Sequence, residues 1–474
     1  GDGADARTLQ LAARASLALE YVADAIEYRK EGVEQDPSND ELKFQLAALL
    51  LQAGRNAESE EVLSRIDASG SEDVAYRKDA MVVLSAMSQG KLLVALEAAK
   101  GLPVKYPESA NAFVLLGIVQ LRNGQTNDGA ASFQSAIALD PANLLALQYL
   151  AGIDEAKGDL DSASARYREI LERYPTGDWT LGVLARIALR QENVEAAKGY
   201  LQRALELAPD NNDYRVALAR LERREGDETE AVEILEAAPG GGGEHMPSVV
   251  ELAMLKARSG DSEEALELAK GLQRSHPDSP IPFALEGEIQ LMQENLELAY
   301  SGYRQAVSIE PFKSHVLRLF GIQRDLGRSN PEQALLEYLE ERPLDSDVRS
   351  VLAQHYDSVG ESARAVTEYE TVVRDNPANA VALNNLAWNY YVAGDSRALE
   401  TAEKALELLP DNAAVLDTAG WIHVQSGSVE RGEALLRQAA SGGGSPEVRY
   451  HHAAALVKLG ERDKARTILE EVLS

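Results

Sequence analysis

The chain has no cysteine, only 3 Trp and 6 Phe, and 47 basic residues against 77 acidic ones. The missing cysteines remove disulfides, thiolate zinc sites and cysteine nucleophiles. That suits a cytosolic protein, and equally a periplasmic one that does without disulfides. A formal charge of −30 argues against generic nucleic-acid binding and against docking on an anionic membrane, since both want a basic surface. It leaves room for a local basic patch. No apolar run approaches the roughly 18 residues of a membrane helix. The opening "GDGADARTLQ" does not itself read as a signal peptide, and none is expected within this sequence. The expectation is a chain made soluble, or the mature part of a processed precursor with a lipid anchor.

Catalytic signatures are missing too. There is no HExxH, no GxSxG and no Walker loop. The seven histidines are scattered, and the adjacent pair His451 and His452 would point about 100° apart on a helix, a poor arrangement for sharing a metal. Most carboxylates share helix faces with Lys or Arg and read as solvated surface. No enzyme, no cofactor and no metal site is expected.

What the chain does have is a period. Pro107, Pro141, Pro175 and Pro209 follow one another at intervals of 34, and Pro37, Pro277, Pro311, Pro343, Pro377 and Pro410 keep nearly the same beat. Within residues 110–141 apolar residues recur at spacings of three and four, which builds one face on each of two helices. A small residue stands at the eighth position of each unit: Gly117, Ala151, Ala185, Ala219, Ala253, Gly287, Gly321, Ala353, Ala387 and Gly420. Together with alanine at position 20 (Ala197, Ala231, Ala265, Ala299, Ala365), it would let the two helices cross closely. Proline at position 32 stops the second helix, lacking a donor and clashing with the preceding turn.

This pattern resembles the tetratricopeptide (TPR) repeat at Phe113, Leu116, Gly117, Gly124, Phe133, Ala136 and Pro141. The resemblance implies an all-α TPR solenoid, a right-handed superhelix of about fourteen helix–turn–helix units. The first, second and tenth units match least, and the tenth runs two residues short. Two arrays are expected, residues 1–239 and 246–474. Between them, the Gly-rich turn 240–245 is a possible flex point and the arrays are read as continuous. A second glycine run, "SGGGSP", precedes the last helix pair.

In such a solenoid the first helix of each unit lines the groove, with positions 2, 5, 9 and 12 to 13 facing it. Two clusters fall there. Arg186, Arg190, Arg220, Arg223, Arg224 and Arg258 make a candidate basic strip for an acidic peptide, a phosphate or an anionic polysaccharide. The competing reading pairs these arginines with nearby glutamates such as Glu222 and Glu225. Trp388, Tyr391, Trp421 and Asn384 make a candidate aromatic surface for a peptide or a sugar ring, with the two indoles side by side. The competing reading buries the indoles as core.

The run "ALNNLAWNYYVAGD", then "VLDTAGW", then "RYHHAAAL" resembles the end of the TPR-repeat lipoproteins of the exosortase/PEP-CTERM system (the PrsT type) over residues 377–473. That resemblance implies a periplasmic, outer-membrane-anchored, non-catalytic scaffold in a Gram-negative bacterium. Its protein partners would belong to exopolysaccharide export or protein sorting. A solenoid that binds polysaccharide directly and a cytosolic adaptor or cochaperone are the alternatives.

Overall fold

The computed structural model describes residues 6–18, 21–238, 245–441 and 444–473. These residues form 28 α-helices and no strand. The helices make fourteen hairpins, each with a first helix (A) and a second (B). The chain divides into two compact units at residues 241 and 242. The first runs from α1 (Ala6–Ala18) to α14 (Glu228–Glu236), the second from α15 (Met246–Ser259) to α28 (Arg462–Leu473). The expected flex point and the expected continuity of the two arrays turn on residues 239–244, which lie outside the described residues. So do Gly442 and Gly443 of the second glycine run.

The proline comb does more than stop B helices, because two residues after several prolines stands an Asn that starts the next A helix. Asn143 Oδ1 accepts from Ala146 N at 3.0 Å and opens α9 (Leu144–Ala156). Asn379 Oδ1 accepts from Ala382 N at 3.0 Å and opens α23 (Ala380–Val392). Asn412 Oδ1 accepts from Val415 N at 3.2 Å and opens α25 (Ala413–Gln425). Each cap satisfies a donor the helix cannot, which stabilises it by about 1 kcal/mol. Between A and B the chain needs one left-handed residue. Gly124, Gly158 and Gly394 supply it, whereas Glu192 (φ 59°) and Glu294 (φ 61°) adopt it against the preference of an L side chain.

Packing inside a hairpin explains the small residue at position 8. A Cβ on Gly117 in α7 (Ala110–Arg122) would sit 2.8 Å from the Phe133 ring of α8 (Thr126–Leu139). On Gly287 in α17 (Ile281–Met292) it would meet Tyr303 at 2.7 Å, and on Gly420 it would meet Leu436 at 2.8 Å. Where B carries a large side chain at the crossing, A must carry none. The B helix answers in kind at Gly302 in α18 (Leu296–Ile309), where a Cβ would come within 2.8 Å of Phe283 O and 2.9 Å of Gly287 N. The alanines Ala197, Ala231, Ala265, Ala299 and Ala365 are all fully buried, as their close-crossing role requires.

One unit departs from the expected register. A Cβ on Gly321 would meet nothing within 4 Å, so Gly321 is not a crossing residue. The A helix here is α19 (Lys313–Asp325), and its eighth residue is the buried Phe320. Gly321 is the ninth and borders an open hollow of about 630 Å³, walled by Leu291, Tyr303, Leu317 and Ile322. Helix α19 begins two residues after Pro311, where α9 and α23 begin three residues after Pro141 and Pro377, so Gly321 falls one position later than its counterparts.

Candidate interaction surfaces

Counted from the first residue of each A helix, Arg186 in α11 (Asp178–Arg190), Arg220 in α13 (Asn212–Glu225), Trp388 and Trp421 are all ninth. A shared position places them on the same helical face.

In the first unit the arginines are answered from the preceding repeat. Arg186 Nη1 lies 2.5 Å and Nη2 3.2 Å from the two carboxylate oxygens of Glu155 in α9, a bidentate pair. Arg190 Nη1 reaches the same carboxylate at 3.0 Å. One carboxylate, 12% exposed, therefore serves two guanidinium groups, and the cluster keeps one positive charge in excess. Glu222 and Glu225 do not play the part the sequence suggested. Both turn to Lys198 of α12 (Val194–Leu207), at 2.7 and 2.8 Å, and hold its ammonium above the ordinary lysine range. Arg220 and Arg224 are exposed and Arg223 is half-buried. Arg258 is also exposed, but it stands in α15 of the second unit.

In the second unit the face changes character. Helix α23 carries no acidic or basic residue in thirteen, and α25 carries one carboxylate, Asp417, and His423. Trp388 and Trp421 are half-buried, so each indole packs on one side and meets solvent on the other. Neither is sealed core. Tyr391 lies 5.5 Å from Trp388, and Asn384 is half-buried with its amide 3.4 Å from Asn385 Oδ1. The link between the indoles is a residue the sequence reading left among scattered histidines. The imidazole of His451, in α27 (Pro446–Lys458), stacks on Trp421 at 4.3 Å and lies 6.2 Å from Trp388. Its Nδ1 is 2.9 and 3.0 Å from the carboxylate oxygens of Asp417, which fixes the ring plane. Tyr450, 55% exposed, extends the surface 6.5 Å from Trp421. Exposed Val381 and Val392 stand on α23, and exposed Val457 on α27. His452 turns away to Glu433 at 3.1 Å, so the two adjacent histidines serve different partners, as their helical offset requires.

Beside this surface lies a buried polar knot. Asp357, at the end of α21 (Ser346–Ser358), accepts from Asn389 Nδ2 at 2.9 Å. Burial pushes its carboxyl above the ordinary value despite the donors Asn389 and Tyr369, and burial pushes the Tyr369 hydroxyl up to about 12. Among the described residues no group of three or more His, Asp and Glu is placed to hold a metal ion. No described helix is long and apolar enough to cross a membrane.

Comparison with known proteins agrees with this architecture. Two family models, both described as tetratricopeptide repeat, match residues 83–144, 114–178, 183–244 and 350–413 for one and 16–81 for the other, together more than half of the chain. A curated TPR repeat-containing protein of Pseudomonas aeruginosa is 30% identical over 150 residues, which is 29% of this chain and 24% of that protein. The chain thus spans about a quarter of that relative's length. Among solved structures, a tetratricopeptide repeat protein from Parabacteroides merdae is 20% identical over 52% of this chain and 98% of its own, with a TM-score of 0.36. The Cut9–Hcn1 hetero-tetramer of APC/C is 14% identical over 98% of this chain and 92% of its own, with a TM-score of 0.37. Superpositions at that level carry no argument about function.

Proposed function

This chain belongs to the tetratricopeptide-repeat proteins, and from that premise we propose that it is a non-catalytic scaffold for protein partners in exopolysaccharide export or exosortase sorting, working in the periplasm at the outer membrane. The observation that carries the scaffold reading is the aromatic face of α23, α25 and α27, where α23 carries no charged residue and Asp417 of α25 is engaged by His451. In a protein with 26% charged residues, neighbouring A helices set two half-buried indoles, two tyrosines and three exposed valines on one side. Partly exposed aromatics of this kind supply large contact area at small entropy cost, as interface anchors do. Asp417 and His451 lock the arrangement before any partner arrives, so binding orders little. The resemblance of residues 377–473 supports the periplasmic system, and the same stretch builds the aromatic face.

The test is affinity capture from the source organism's envelope and cytosol, with wild type beside Trp388→Ala/Trp421→Ala, both variants checked for helicity. A discrete envelope protein retained by wild type and lost by the variant supports the reading. Retention of polysaccharide alone would replace it with a glycan-binding solenoid. Fractionation that leaves the native protein in the cytosol would remove the periplasmic assignment and leave the scaffold standing.

A further inference from the structure

The first unit has a hollow of its own on the A-helix side. The ninth residue of α9 is Gly152, where a Cβ would meet nothing within 4 Å. Where other A helices carry Arg or Trp, the surface here opens into a space of about 490 Å³ lined by Leu121, Leu145, Tyr149 and Ile153, with Thr126 and Gln148 as its polar members. No charged side chain lines it. Its floor is stiff, because Tyr149 stacks on the fully buried Phe133 at 4.8 Å with the rings 3° from parallel. Leu145 at the rim is 46% exposed, which costs free energy until something covers it.

The hollow is not isolated from charge. Glu155 stands three residues after Gly152 and therefore on the same helical face, about 4.5 Å along the axis. Arg186 and Arg190 come across from α11 to meet it, so a cluster with surplus positive charge borders an uncharged apolar cavity. The larger hollow at Gly321 differs here. Its rim arginines are each matched by a carboxylate, Arg318 by Glu288 at 3.1 Å and Arg324 by Asp325 at 3.0 Å. It offers no surplus.

We propose that the hollow over Gly152 and the Glu155–Arg186–Arg190 cluster form one docking subsite for an acidic peptide segment of a partner protein. A bulky apolar side chain of the segment fills the hollow, and a carboxylate lies over the two guanidinium groups. The geometry sets a spacing. An extended chain advances about 3.3 Å per residue and neighbouring helix axes stand 8–10 Å apart, so the acid falls roughly two or three residues from the apolar anchor. The overall charge of −30 does not veto this, because at physiological salt a surface charge is screened beyond about 8 Å and the local cluster dominates. Specificity follows from the pairing of the two features. An apolar segment without acids leaves the guanidinium groups to Glu155 alone, and an acidic segment without the anchor leaves the hollow unfilled.

The experiment pans a displayed library of random peptides against the full chain, then measures the best-enriched peptide by fluorescence anisotropy against variants. The expected motif is Leu, Phe or Tyr followed within about two or three residues by Asp or Glu. Gly152→Leu fills the cavity from a position with open space around its Cβ, so the fold is kept and affinity falls by about tenfold or more. Arg186→Gln/Arg190→Gln lowers affinity to a similar degree and removes the preference for acids, whereas Trp388→Ala/Trp421→Ala in the other unit leaves binding within about twofold. The proposal is overturned if no motif is enriched, if the enriched peptides lack acids, or if binding survives both Gly152→Leu and the arginine double variant.

Discussion

The A-helix faces of the two units are built on one frame and carry opposite chemistry. At the ninth position the first unit has Gly152, Arg186 and Arg220, a hollow followed by guanidinium groups. The second has Trp388 and Trp421, indoles joined by one histidine. Hairpin packing is the same in both, with small residues where A crosses B. The ninth position lies just beyond that crossing. It is free of the packing constraint, so it can be a cavity, a charge or an aromatic plate at little cost to the fold. The repeat holds eight constant in character and lets nine vary, which is how one scaffold presents two different surfaces.

The sharpest break of this comparison is at the indoles. Trp388→Ala/Trp421→Ala should weaken a partner held by the second unit by about 2–4 kcal/mol, roughly 30-fold or more in Kd, and leave acidic-peptide binding to the first unit intact. Isothermal titration with both ligands checks it. Next come the glycines, which separate crossing positions from open ones. Gly302→Ala forces a methyl against Phe283 O and Gly287 N and should cost about 1–3 kcal/mol in urea unfolding. Gly152→Ala and Gly321→Ala meet nothing and should gain about 0.5–1 kcal/mol from helix propensity.

Salt should divide the two faces more gently. Raising it from 50 to about 500 mM should weaken the acidic peptide roughly fivefold, the worth of one or two exposed ion pairs, and leave the aromatic face nearly unchanged. The smallest effect is at Asp357. Its carboxyl is raised by burial, so its contribution to stability is full below the ordinary Asp value near 3.8 and is lost as pH rises through the higher folded value. Asp357→Asn escapes that loss. Its Tm relative to wild type should therefore increase from pH 3.5 to pH 7 in thermal scans, and an offset that stays flat would show that Asp357 is not the raised group.

Much of this was legible in the sequence, for identifiable reasons. Proline, Asn caps and the small residue at position eight recur because each repeat solves the same steric problem, so fourteen hairpins could be counted from the period. The slip at Gly321 could not be seen, because Phe320 and Gly321 stand side by side and the proline spacing does not show that α19 starts one residue early. Counting alone gave Arg186, Arg220, Trp388 and Trp421 one shared helix position, and all four are at least partly exposed. Their partners were missed: Glu155 meets Arg186 across 31 residues, and Asp417 meets His451 across 34. Contacts one repeat apart follow from stacking rather than from local pattern. A signal was present all the same, since Asp417 and Tyr450 are both fifth in their helices, one row from the indoles.

The central claim is that the two A-helix faces are separate docking surfaces of different chemistry. It is tested most directly by quantitative capture with the full chain, comparing wild type, Trp388→Ala/Trp421→Ala and Arg186→Gln/Arg190→Gln in one experiment. The account predicts two sets of lost partners that do not overlap, with the arginine-dependent set alone reduced at high salt. If both variants lose the same partners, or neither loses any, the two faces are not separate docking surfaces.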